Sequence, residues 1–408
     1  MTLYYLDANA TTFMPEIVIK SMTKWVNKGN ASAKYSSALE CKELMQNFKD
    51  LLLNNHGFTG HTVIFNSGAS ESNSHIITSS VRSFMVKTGY LPHIIISSIE
   101  HKSIIQCCED LKNDGMCQYT KIDPIIIGDN YGTIDPDILE ANIKPNTCLI
   151  SIMTANNETG IINDIPALTA VAHRHKVPFH TDCVQSFGKL GVYNGVDACS
   201  ISFHKLHGPP GLGCLIIRDS FIKGYDLKAL IAGSQNDNLR GGTENIPAIG
   251  ASYAAYKYTY LKRDEKNTYL LSMKEYCKKL LNKYIKCFYI DEYENEKHEK
   301  NKIFWITNRN ESKVLPNTLL LAVYKDNFCN IRMRDELSNY NIIVSIGSAC
   351  NAHSKTSSSV VDSLNVPKEL KSGILRISFL DDTTKEHIIQ FVTHFLGLIE
   401  FTKINDNV

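Results

Sequence analysis

A lysine and an aspartate stand where two short apolar segments end. Asp182 follows the strand candidate 177–181, and Lys205 follows the largely apolar strand candidate 198–203 after one intervening histidine. A charge at such a position costs free energy unless a partner meets it. Burial lowers the pKa of a lysine, and an amine with a lowered pKa can attack an aldehyde. Lys205 is therefore a candidate nucleophile and Asp182 a candidate partner for a cation, although the two could also form a buried structural ion pair.

A turn of small residues, Ser67–Ser72, follows the apolar segment 62–66 and opens a helical pattern. The backbone N–H groups of such a turn and the Ser70 hydroxyl can bind an anion such as a phosphate. The alternative is an ordinary serine at the start of a helix. Other polar side chains stand at the ends of neighbouring strands in the same way: His101, Asn157, Gln185, Ser202 and His204.

These groups form one site if the strands are parallel, because ligands of such sheets bind at the carboxyl ends of the strands. The site would combine an anion-binding turn, an amine nucleophile, a carboxylate and an imidazole ring. Pyridoxal phosphate needs this set of groups. Its phosphate takes the helix N-terminus, its aldehyde takes Lys205, and its pyridine nitrogen takes Asp182, which keeps the nitrogen protonated. The sequence therefore predicts pyridoxal phosphate as the cofactor.

Short apolar segments alternate with helical patterns from about residue 60 to residue 220. The strand candidates are residues 62–66, 93–97, 147–153, 177–181, 198–203 and 213–217, and the helix candidates include Glu71–Lys87, Ser103–Asn113 and Ile165–His175. Several strands are apolar on both faces, which indicates a mostly parallel sheet covered by helices on both sides. After about residue 255 one long helical pattern, Tyr256–Tyr284, precedes mixed strand and helix patterns. We therefore predict a large α/β domain over residues 15–258 and a smaller α+β domain from residues 1–14 and 259–408, with the N-terminal arm packed against it.

The 408 residues carry a net charge of +1, with 43% hydrophobic and 21% charged residues. This balance is typical of a globular protein and provides no global field for direct nucleic-acid binding. No apolar run reaches the ~18 residues of a membrane span, and the N-terminal residues show no targeting pattern. We therefore expect a cytoplasmic protein without membrane contact.

Twelve cysteines are scattered along the chain without a Cys-x-x-Cys pair. We expect most of them to be buried, reduced thiols. Two pairs of residues could contribute to a zinc site, His180 with Cys183 and His173 with His175. Neither spacing comes with a second ligand pair, so no metal is predicted.

A series of short motifs resembles the cysteine desulfurase family, within the class V aminotransferase group of fold-type I pyridoxal-phosphate enzymes. The motifs run in family order over about residues 3–390. They are Tyr5–Thr12, Asn66–Asn73, Glu100–Lys102, Asn156–Gly160, His180–Ser186, Ser202–Pro209, Gly241–Asn245, Gly347–Cys350 and Leu375–Phe379. The resemblance implies a large domain with a mostly parallel seven-stranded sheet and a smaller α+β C-terminal domain that carries the catalytic cysteine.

The resemblance also implies roles for the cofactor-binding residues. Lys205 would bind the cofactor aldehyde covalently, Asp182 would pair with the pyridine nitrogen, and Gln185 would donate to the ring hydroxyl. His101 would stack on the ring as a catalytic residue. The residues that would hold the phosphate are Ala69, Ser70, Ser202 and His204.

Three further residues are assigned by the resemblance to the substrate or to a second subunit. Asn157 and Arg376 would bind the substrate carboxylate, and Asn157 would also contact the cofactor. The planar guanidinium of an arginine suits its role because it meets a carboxylate with two hydrogen bonds. Thr243 would reach the phosphate bound by the neighbouring subunit. That role implies a homodimer with shared active sites.

The reaction implied by the resemblance is the conversion of L-cysteine to L-alanine, a cysteine desulfurase activity. Lys205, or a group that it relays to, would remove the Cα proton. Cys350, as a thiolate, would take the sulfur as a persulfide, and its small, polar surroundings in the sequence suit that transfer. The sulfur acceptor would be an iron–sulfur scaffold protein, a tRNA thiolation enzyme or another sulfur carrier.

Four stretches depart from the family pattern. Ser70 stands where threonine is usual, and Pro210 stands where lysine is common. Ser234–Leu239 replaces a Gly-rich turn, and Gly29–Ser36 lacks the usual histidine. These differences bear on rate, partner choice and dimer contacts more than on the chemistry.

Two other classes of function stay open. A selenocysteine lyase, or another class V lyase or aminotransferase, would use the same cofactor. Cys350 argues against a transaminase, which has no use for it, but it does not exclude a selenocysteine lyase. A non-catalytic scaffold would most simply lack Lys205, Asp182 or Cys350, and all three are present.

Overall fold

The structure is a computed structural model that describes residues 2–347 and 358–401. Its strands are β1 Tyr4–Tyr5, β2 His61–Asn66, β3 His93–Ser97, β4 Gln118–Ile122, β5 Thr147–Ser151, β6 Phe179–Asp182, β7 Ala198–Ser202, β8 Gly213–Arg218, β9 Lys286–Tyr289, β10 Lys302–Trp305, β11 Thr318–Tyr324, β12 Ile342–Ile343 and β13 Ile374–Ser378. Its helices are α1 Glu16–Trp25, α2 Ser36–His56, α3 Ala69–Thr88, α4 Lys102–Asn113, α5 Pro136–Ala141, α6 Ile165–Arg174, α7 Asp219–Tyr225, α8 Gln235–Asn238, α9 Ile246–Tyr260, α10 Arg263–Tyr284, α11 Tyr293–Glu296, α12 Asn330–Asn339, α13 Ser359–Ser363, α14 Lys368–Lys371 and α15 Lys385–Phe401.

Seven strands form the main sheet, in the order β2-β8-β7-β6-β5-β3-β4. Strand β8 runs antiparallel to its neighbours β2 and β7, and the other pairs are parallel. The predicted mostly parallel, seven-stranded sheet is confirmed. The apolar pattern does not predict β4, because this edge strand is largely polar and exposes Gln118 and Lys121.

The main sheet is buried on both faces, as its apolar strands require. Ile95 and Ile150 belong to one core cluster, which also contains Phe48 of α2. Their neighbours Ile94 and Leu149 belong to a second cluster, formed with α3, α4 and α7. Successive residues of a strand point to opposite faces, so one apolar strand serves both cores.

A second sheet has the order β13-β11-β10-β9 and packs against α10 and α15. The N-terminal arm joins this part of the molecule, because β1 pairs in parallel with β12 and Leu6 is fully buried in the same core. The N-terminal arm therefore packs on the same core as the second sheet. The domain limits 15–258 and 259–408 stay a prediction.

The prediction of one long helix over Tyr256–Tyr284 is wrong. Helix α9 ends at Tyr260, and α10 begins at Arg263 after Lys262 leaves the helical conformation at φ −118° and ψ 20°. The reason is packing: α9 buries Tyr256 in the core of the main sheet, whereas α10 buries residues such as Leu281 against the second sheet. The helical pattern of the sequence continues across the break, but the backbone is not helical at Lys262.

The composition predicts no membrane span and mostly buried, reduced cysteines. No helix within residues 2–347 and 358–401 is long and apolar enough to cross a membrane. The eleven cysteines in these ranges are free thiols, and all except Cys107, Cys287 and Cys329 are buried. The expectation of mostly buried, reduced thiols is confirmed for these residues.

Candidate active site

A cavity of ≈ 400 Å³ opens at the carboxyl ends of β2, β6 and β7. Its volume lies in the range of small-molecule sites. The predicted site residues that line it are Ala69, Ser70, His101, Asn157, Asp182, Gln185, Ser202, His204, Lys205 and Arg376. Thr243 is exposed and does not line this cavity, and Cys350 lies outside the described residues.

Lys205 follows β7 at the end of a short 3₁₀ turn, Phe203–Lys205. Its Nζ donates to Asn9 O at 2.6 Å and to Ala10 O at 2.5 Å. Burial, with the nearby Arg376 guanidinium, lowers the pKa of Lys205 to about 8. Because both contacts are backbone carbonyls, the alternative of a structural ion pair with Asp182 is wrong.

Asp182 is the last residue of β6 and is 5% exposed. One carboxylate oxygen accepts from Asn73 Nδ2 at 2.9 Å, and the other accepts from Val184 N at 2.9 Å. Two donors thus compensate for the burial of the carboxylate. Sequence reasoning missed Asn73 as a site residue, although its spacing from Ser70 is one helical turn and puts both on one face of α3.

The predicted anion-binding turn leads directly into α3. The helix begins at Ala69 after Gly68, which adopts φ +147°. The first N–H groups of a helix have no carbonyl partner within the helix and can donate to an anion. Gly213 of β8 approaches this turn closely, because a Cβ added there would lie 2.6 Å from Gly68 Cα. The turn therefore needs glycine on both sides of this contact.

Glu71 joins the anion-binding turn to Arg240, which directly follows the atypical segment Ser234–Leu239. Its carboxylate accepts from Ser67 N at 2.8 Å and forms an ion pair with Arg240 at 2.9 Å. Burial raises the pKa of Glu71, but the hydrogen bonds from Arg240 and Ser67 outweigh it and leave the pKa below its usual value. Arg240 thereby offsets a negative charge next to the place where a phosphate would bind.

His101 and Gln185 line the cavity and are held by different elements. His101 caps the N-terminus of α4 and accepts a hydrogen bond from Ser103 N. Gln185 Nε2 donates to Asn9 O at 3.1 Å, while its buried Oε1 has no partner among the described residues. Gln185 therefore keeps a hydrogen-bonding atom for a ligand.

Arg376 comes from β13 of the second sheet and is 2% exposed. One terminal nitrogen donates to Asp7 Oδ1 at 2.6 Å, and the other donates to Asn157 O at 3.0 Å. Its buried Nε has no partner in the described part of the chain. Sequence reasoning missed Asp7, which belongs to the Tyr5–Thr12 motif but has no role in the prediction.

Asn9 joins the two sheets at the cavity. Its backbone N–H donates to Ser378 Oγ at 2.9 Å, and its Nδ2 donates to Thr318 Oγ1 at 2.9 Å, both in the second sheet. Its carbonyl oxygen accepts from Lys205 of the main sheet. Asn9 also lies within the Tyr5–Thr12 motif. Membership of this motif was therefore the one feature of the sequence that could have indicated its structural role.

Glu100 is a further buried carboxyl group, adjacent in sequence to the cavity residue His101, to which sequence reasoning gave no role. It is 3% exposed, and its Oε1 accepts from Ser97 Oγ and from Met153 N. Its Oε2 has no partner among the described residues. Burial raises the pKa of Glu100 to about 8, so the group is mostly neutral at pH 7.

The residues considered as zinc ligands have other partners. His180 is buried between Ser151 Oγ at 2.8 Å and Ser200 Oγ at 2.9 Å. His173 and His175 lie near the surface and contact the carboxylates of different residues. Within residues 2–347 and 358–401, no cluster of three or more histidine, cysteine, aspartate or glutamate side chains could hold a metal ion.

The side chains in the cavity fit pyridoxal phosphate. The start of α3 offers free N–H groups and the Ser70 hydroxyl to a phosphate. Lys205 offers an amine with a lowered pKa to the aldehyde, and Asp182 offers a carboxylate to the pyridine nitrogen. The buried Oε1 of Gln185 has no partner among the described residues and can accept from a ring hydroxyl, whereas the predicted donation would use the second N–H of Nε2.

Comparison with known proteins identifies the family. A model described as "Aminotransferase class-V" matches residues 4–391. Cysteine desulfurase IscS of Dictyoglomus turgidum is 32% identical over 94% of this chain and 91% of that protein. Human selenocysteine lyase is 30% identical over 94% of this chain and 89% of that protein. The solved structure of a NIFS-like protein superposes with a TM-score of 0.83 at 26% identity, over 98% of this chain and 100% of that chain. The chain therefore belongs to the class-V aminotransferase family, whose enzymes depend on pyridoxal phosphate.

Proposed function

We propose that this protein is a cysteine desulfurase that converts L-cysteine to L-alanine and transfers the sulfur to Cys350. The observation that carries the proposal is the meeting of Lys205, Asp182 and Arg376 in one cavity. Lys205 lies in the turn after β7, whereas the other two lie in strands of different sheets, β6 and β13. The similarity to the Dictyoglomus turgidum cysteine desulfurase supports this reading of the reaction.

The cavity residues would hold the cofactor by its three functional ends. Ala69, Ser70, Ser202 and His204 would bind the phosphate. Asp182 would meet the pyridine nitrogen and Gln185 the ring hydroxyl, with His101 against the ring face. Burial, with the adjacent Lys205, lowers the pKa of His204 to about 4, so this imidazole is neutral and can donate a hydrogen bond. When bound, pyridoxal phosphate withdraws electrons from the substrate Cα.

Arg376 and Asn157 would orient the amino acid. The guanidinium of Arg376 binds the substrate carboxylate and is itself held by Asp7 and by the backbone of Asn157. This places the Cα–H bond near Lys205, whose Nζ takes the proton. A pKa of about 8 leaves a useful fraction of that amine unprotonated near neutral pH.

Cys350 would complete the reaction. Its Sγ attacks the substrate sulfur, a sulfur–sulfur bond forms, and the substrate Cβ–S bond breaks. The electron pair of the broken bond stays with the three-carbon fragment, which takes up a proton and leaves as alanine. In sum, the cysteine thiol and L-cysteine give the persulfide and L-alanine, so the atoms balance without an added oxidant or reductant.

We also propose a homodimer with shared active sites. Thr243 is exposed and does not line the cavity of its own chain, which supports a role at the site of a partner subunit. The N-terminal region exposes Phe13, Ile17 and Ile19, and apolar side chains of this size are typical of a contact surface. A cytoplasmic location and transfer of the sulfur to an acceptor protein, for iron–sulfur clusters or thiolated tRNA, are part of the same proposal.

The test is a cysteine turnover assay that measures alanine and sulfide together. The wild-type protein is expected to form both in equal amounts in the presence of a thiol reductant. Cys350→Ala is expected to keep the cofactor absorption band and to lose sulfide release. Lys205→Ala is expected to lose both the cofactor absorption band and sulfide release. Formation of alanine without sulfide, or unchanged sulfide release by Cys350→Ala, would contradict the proposal.

A selenocysteine lyase is the second candidate, favoured by the similarity to the human enzyme of that name. The two functions differ in the chalcogen that the site accepts. The ratio of kcat/KM for L-cysteine and L-selenocysteine separates them. A desulfurase retains substantial kcat/KM with cysteine, whereas a lyase specific for selenium turns over cysteine at a negligible rate.

A further inference from the structure

A second, smaller cavity also adjoins Lys205. Its volume is ≈ 40 Å³, and Lys205 lines both this small cavity and the larger one. A buried water needs roughly 10–15 Å³ of such volume, so the small cavity has room for a few waters. The other charged or titratable side chains that line it are Lys189, His207, Lys266 and Asp381.

Lys189 and Lys205 are connected through backbone carbonyl groups. Lys189 Nζ donates to Gln185 O at 3.0 Å, and Gln185 Nε2 donates to Asn9 O at 3.1 Å. Lys205 Nζ donates to the same Asn9 O at 2.6 Å. In the part of the chain that the structure describes, each amine thus meets carbonyl oxygens and no carboxylate.

Asp381, the carboxylate that lines the small cavity, contacts two other side chains. Its oxygens lie 3.1 Å from His207 Nε2 and 2.5 Å from Lys266 Nζ. The other ring nitrogen of His207 lies 2.8 Å from Phe13 O. Among the described residues, Asp381 therefore contacts His207 and Lys266 and forms no ion pair with Lys189.

We propose that Lys189 is a positioning residue for this reaction, whose positive charge beside the small cavity favours the unprotonated form of the Lys205 amine. Two like charges at a buried site repel each other, so the second lysine makes protonation of the first less favourable. The inference rests on the proposed role of Lys205 as the reacting amine.

The charges around the two lysines support this direction. Burial and Arg376 lower the pKa of Lys205, Lys189 lowers it further, and Asp7 and Asp182 act in the opposite sense. The neighbouring titratable rings are those of His101 and His204. Burial lowers the pKa of Lys189 itself to about 8, with Asp381 acting against that shift, so most of Lys189 is protonated at pH 7.

The test measures the protonation of Lys205 directly and needs no turnover. The full-length chain, freed of cofactor, is treated with trace acetic anhydride over pH 6–11, and the acetylation of each lysine is followed by peptide mass spectrometry. Only an unprotonated amine reacts, so the pH midpoint reports its pKa. Lys189→Met is expected to raise the midpoint of Lys205 by about half a pH unit or more, because a like charge is removed. Lys189→Arg keeps the charge and is expected to leave it near the wild-type value.

Lys274→Met is the matched control. Lys274 is also a buried lysine with a lowered pKa, but it lies in α10 and pairs with Glu311, which keeps Lys278 as a partner. This variant is expected to leave the Lys205 midpoint unchanged. If Lys189→Met does not fold, as judged by circular dichroism, Lys189→Gln makes the same charge change with a side chain that can still donate to Gln185 O.

Two outcomes would overturn the inference. One is an unchanged acetylation midpoint of Lys205 in folded Lys189→Met or Lys189→Gln. The other is a shift of that midpoint in Lys189→Arg as large as in Lys189→Met. The outcome is separable from the proposed function. Absence of sulfide release from cysteine would contradict the desulfurase proposal while leaving the labelling result intact, and an unchanged midpoint would not alter the turnover assay.

Discussion

The two main ionisable side chains of the cavity are each held by hydrogen bonds with their immediate neighbours. The amine of Lys205 is held by two carbonyl oxygens, and the carboxylate of Asp182 is held by two N–H donors. Neither group neutralises the other. Each therefore keeps its own hydrogen-bonding capacity for a bound molecule, which a direct ion pair would remove.

Arg376→Lys is expected to lower kcat/KM for cysteine by about ten- to a hundredfold, mainly through a higher KM. Lysine keeps the charge but loses the planar pair of donors, and a charge-assisted hydrogen bond contributes about 1.5–3 kcal/mol. Steady-state kinetics measure the effect. Arg174→Lys, at an exposed arginine paired with Glu140, is the control and is expected to behave as wild type. An unchanged KM in Arg376→Lys would remove this residue from substrate binding.

Glu100→Gln is expected to stabilise the protein at pH 8 more than at pH 5. The pKa of Glu100 is raised to about 8 by burial, so between its unfolded value of 4.5 and about 8 the unfolded chain loses a proton that the folded chain retains. That difference lowers wild-type stability as pH rises. Glutamine resembles the neutral acid and has no such proton to lose. Melting temperatures at pH 5 and pH 8 measure the effect, and an equal difference at both values would contradict the raised pKa.

At the scale of elements, the site depends on how closely β8 passes the turn before α3. Gly213 permits this approach, since a Cβ at this position would also lie 2.4 Å from Ile201 O. The turn is thereby fixed by the sheet itself and not only by its own residues. An anion site on a rigid scaffold keeps its N–H groups oriented before the ligand arrives.

Gly213→Ala is expected to destabilise the fold by about 1–3 kcal/mol, because overpacking forces the backbone to shift. We also expect weaker binding of pyridoxal phosphate, since the shift displaces the turn at Gly68. Chemical denaturation and cofactor titration measure the two effects. Gly224→Ala is the control, because a Cβ there meets no atom within 4 Å. Wild-type cofactor affinity in Gly213→Ala would show that the turn does not depend on this contact.

At the scale of the whole molecule, the cavity lies where the two sheets meet. The N-terminal arm pairs with β12, passes Asn9 between the sheets and supplies the carbonyl groups that hold Lys205. Arg376 reaches the same cavity from the second sheet. A relative movement of the two sheets would therefore change the distance between the proposed substrate-binding arginine and the reacting amine.

The proposed dimer predicts complementation between two inactive variants. The native mass is expected to be twice the chain mass of 45.8 kDa by light scattering. Lys205→Ala and Thr243→Ala are each expected to turn over cysteine poorly. A mixed dimer holds one site with both Lys205 and the partner's Thr243 intact, so co-expressed chains are expected to regain activity. Purification through two different tags isolates the mixed dimer, and its failure to regain activity would contradict shared sites.

The sequence by itself determined the main sheet and most of the site. Apolar strands that alternate with helices predict a parallel sheet, and its strand ends place Asp182, Lys205 and Ser70 at one edge because parallel strands end on the same side. These predictions depend on local pattern and topology. The edge strand β4 and the break between α9 and α10 were not predictable in this way, because their surroundings rather than their composition define them.

Only the tertiary structure decided which groups hold the reacting side chains. The contacts of Lys205 with Asn9 O, of Arg376 with Asp7 and of Lys189 with Gln185 O join residues whose meeting depends on how the sheets pack. No local periodicity encodes such a contact, and a backbone carbonyl has no sequence signature at all. Burial is likewise a property of the packed chain, and burial is the main cause of the lowered pKa of Lys205. The sequence identifies the amine of Lys205, but the fold buries this amine and so lowers its pKa.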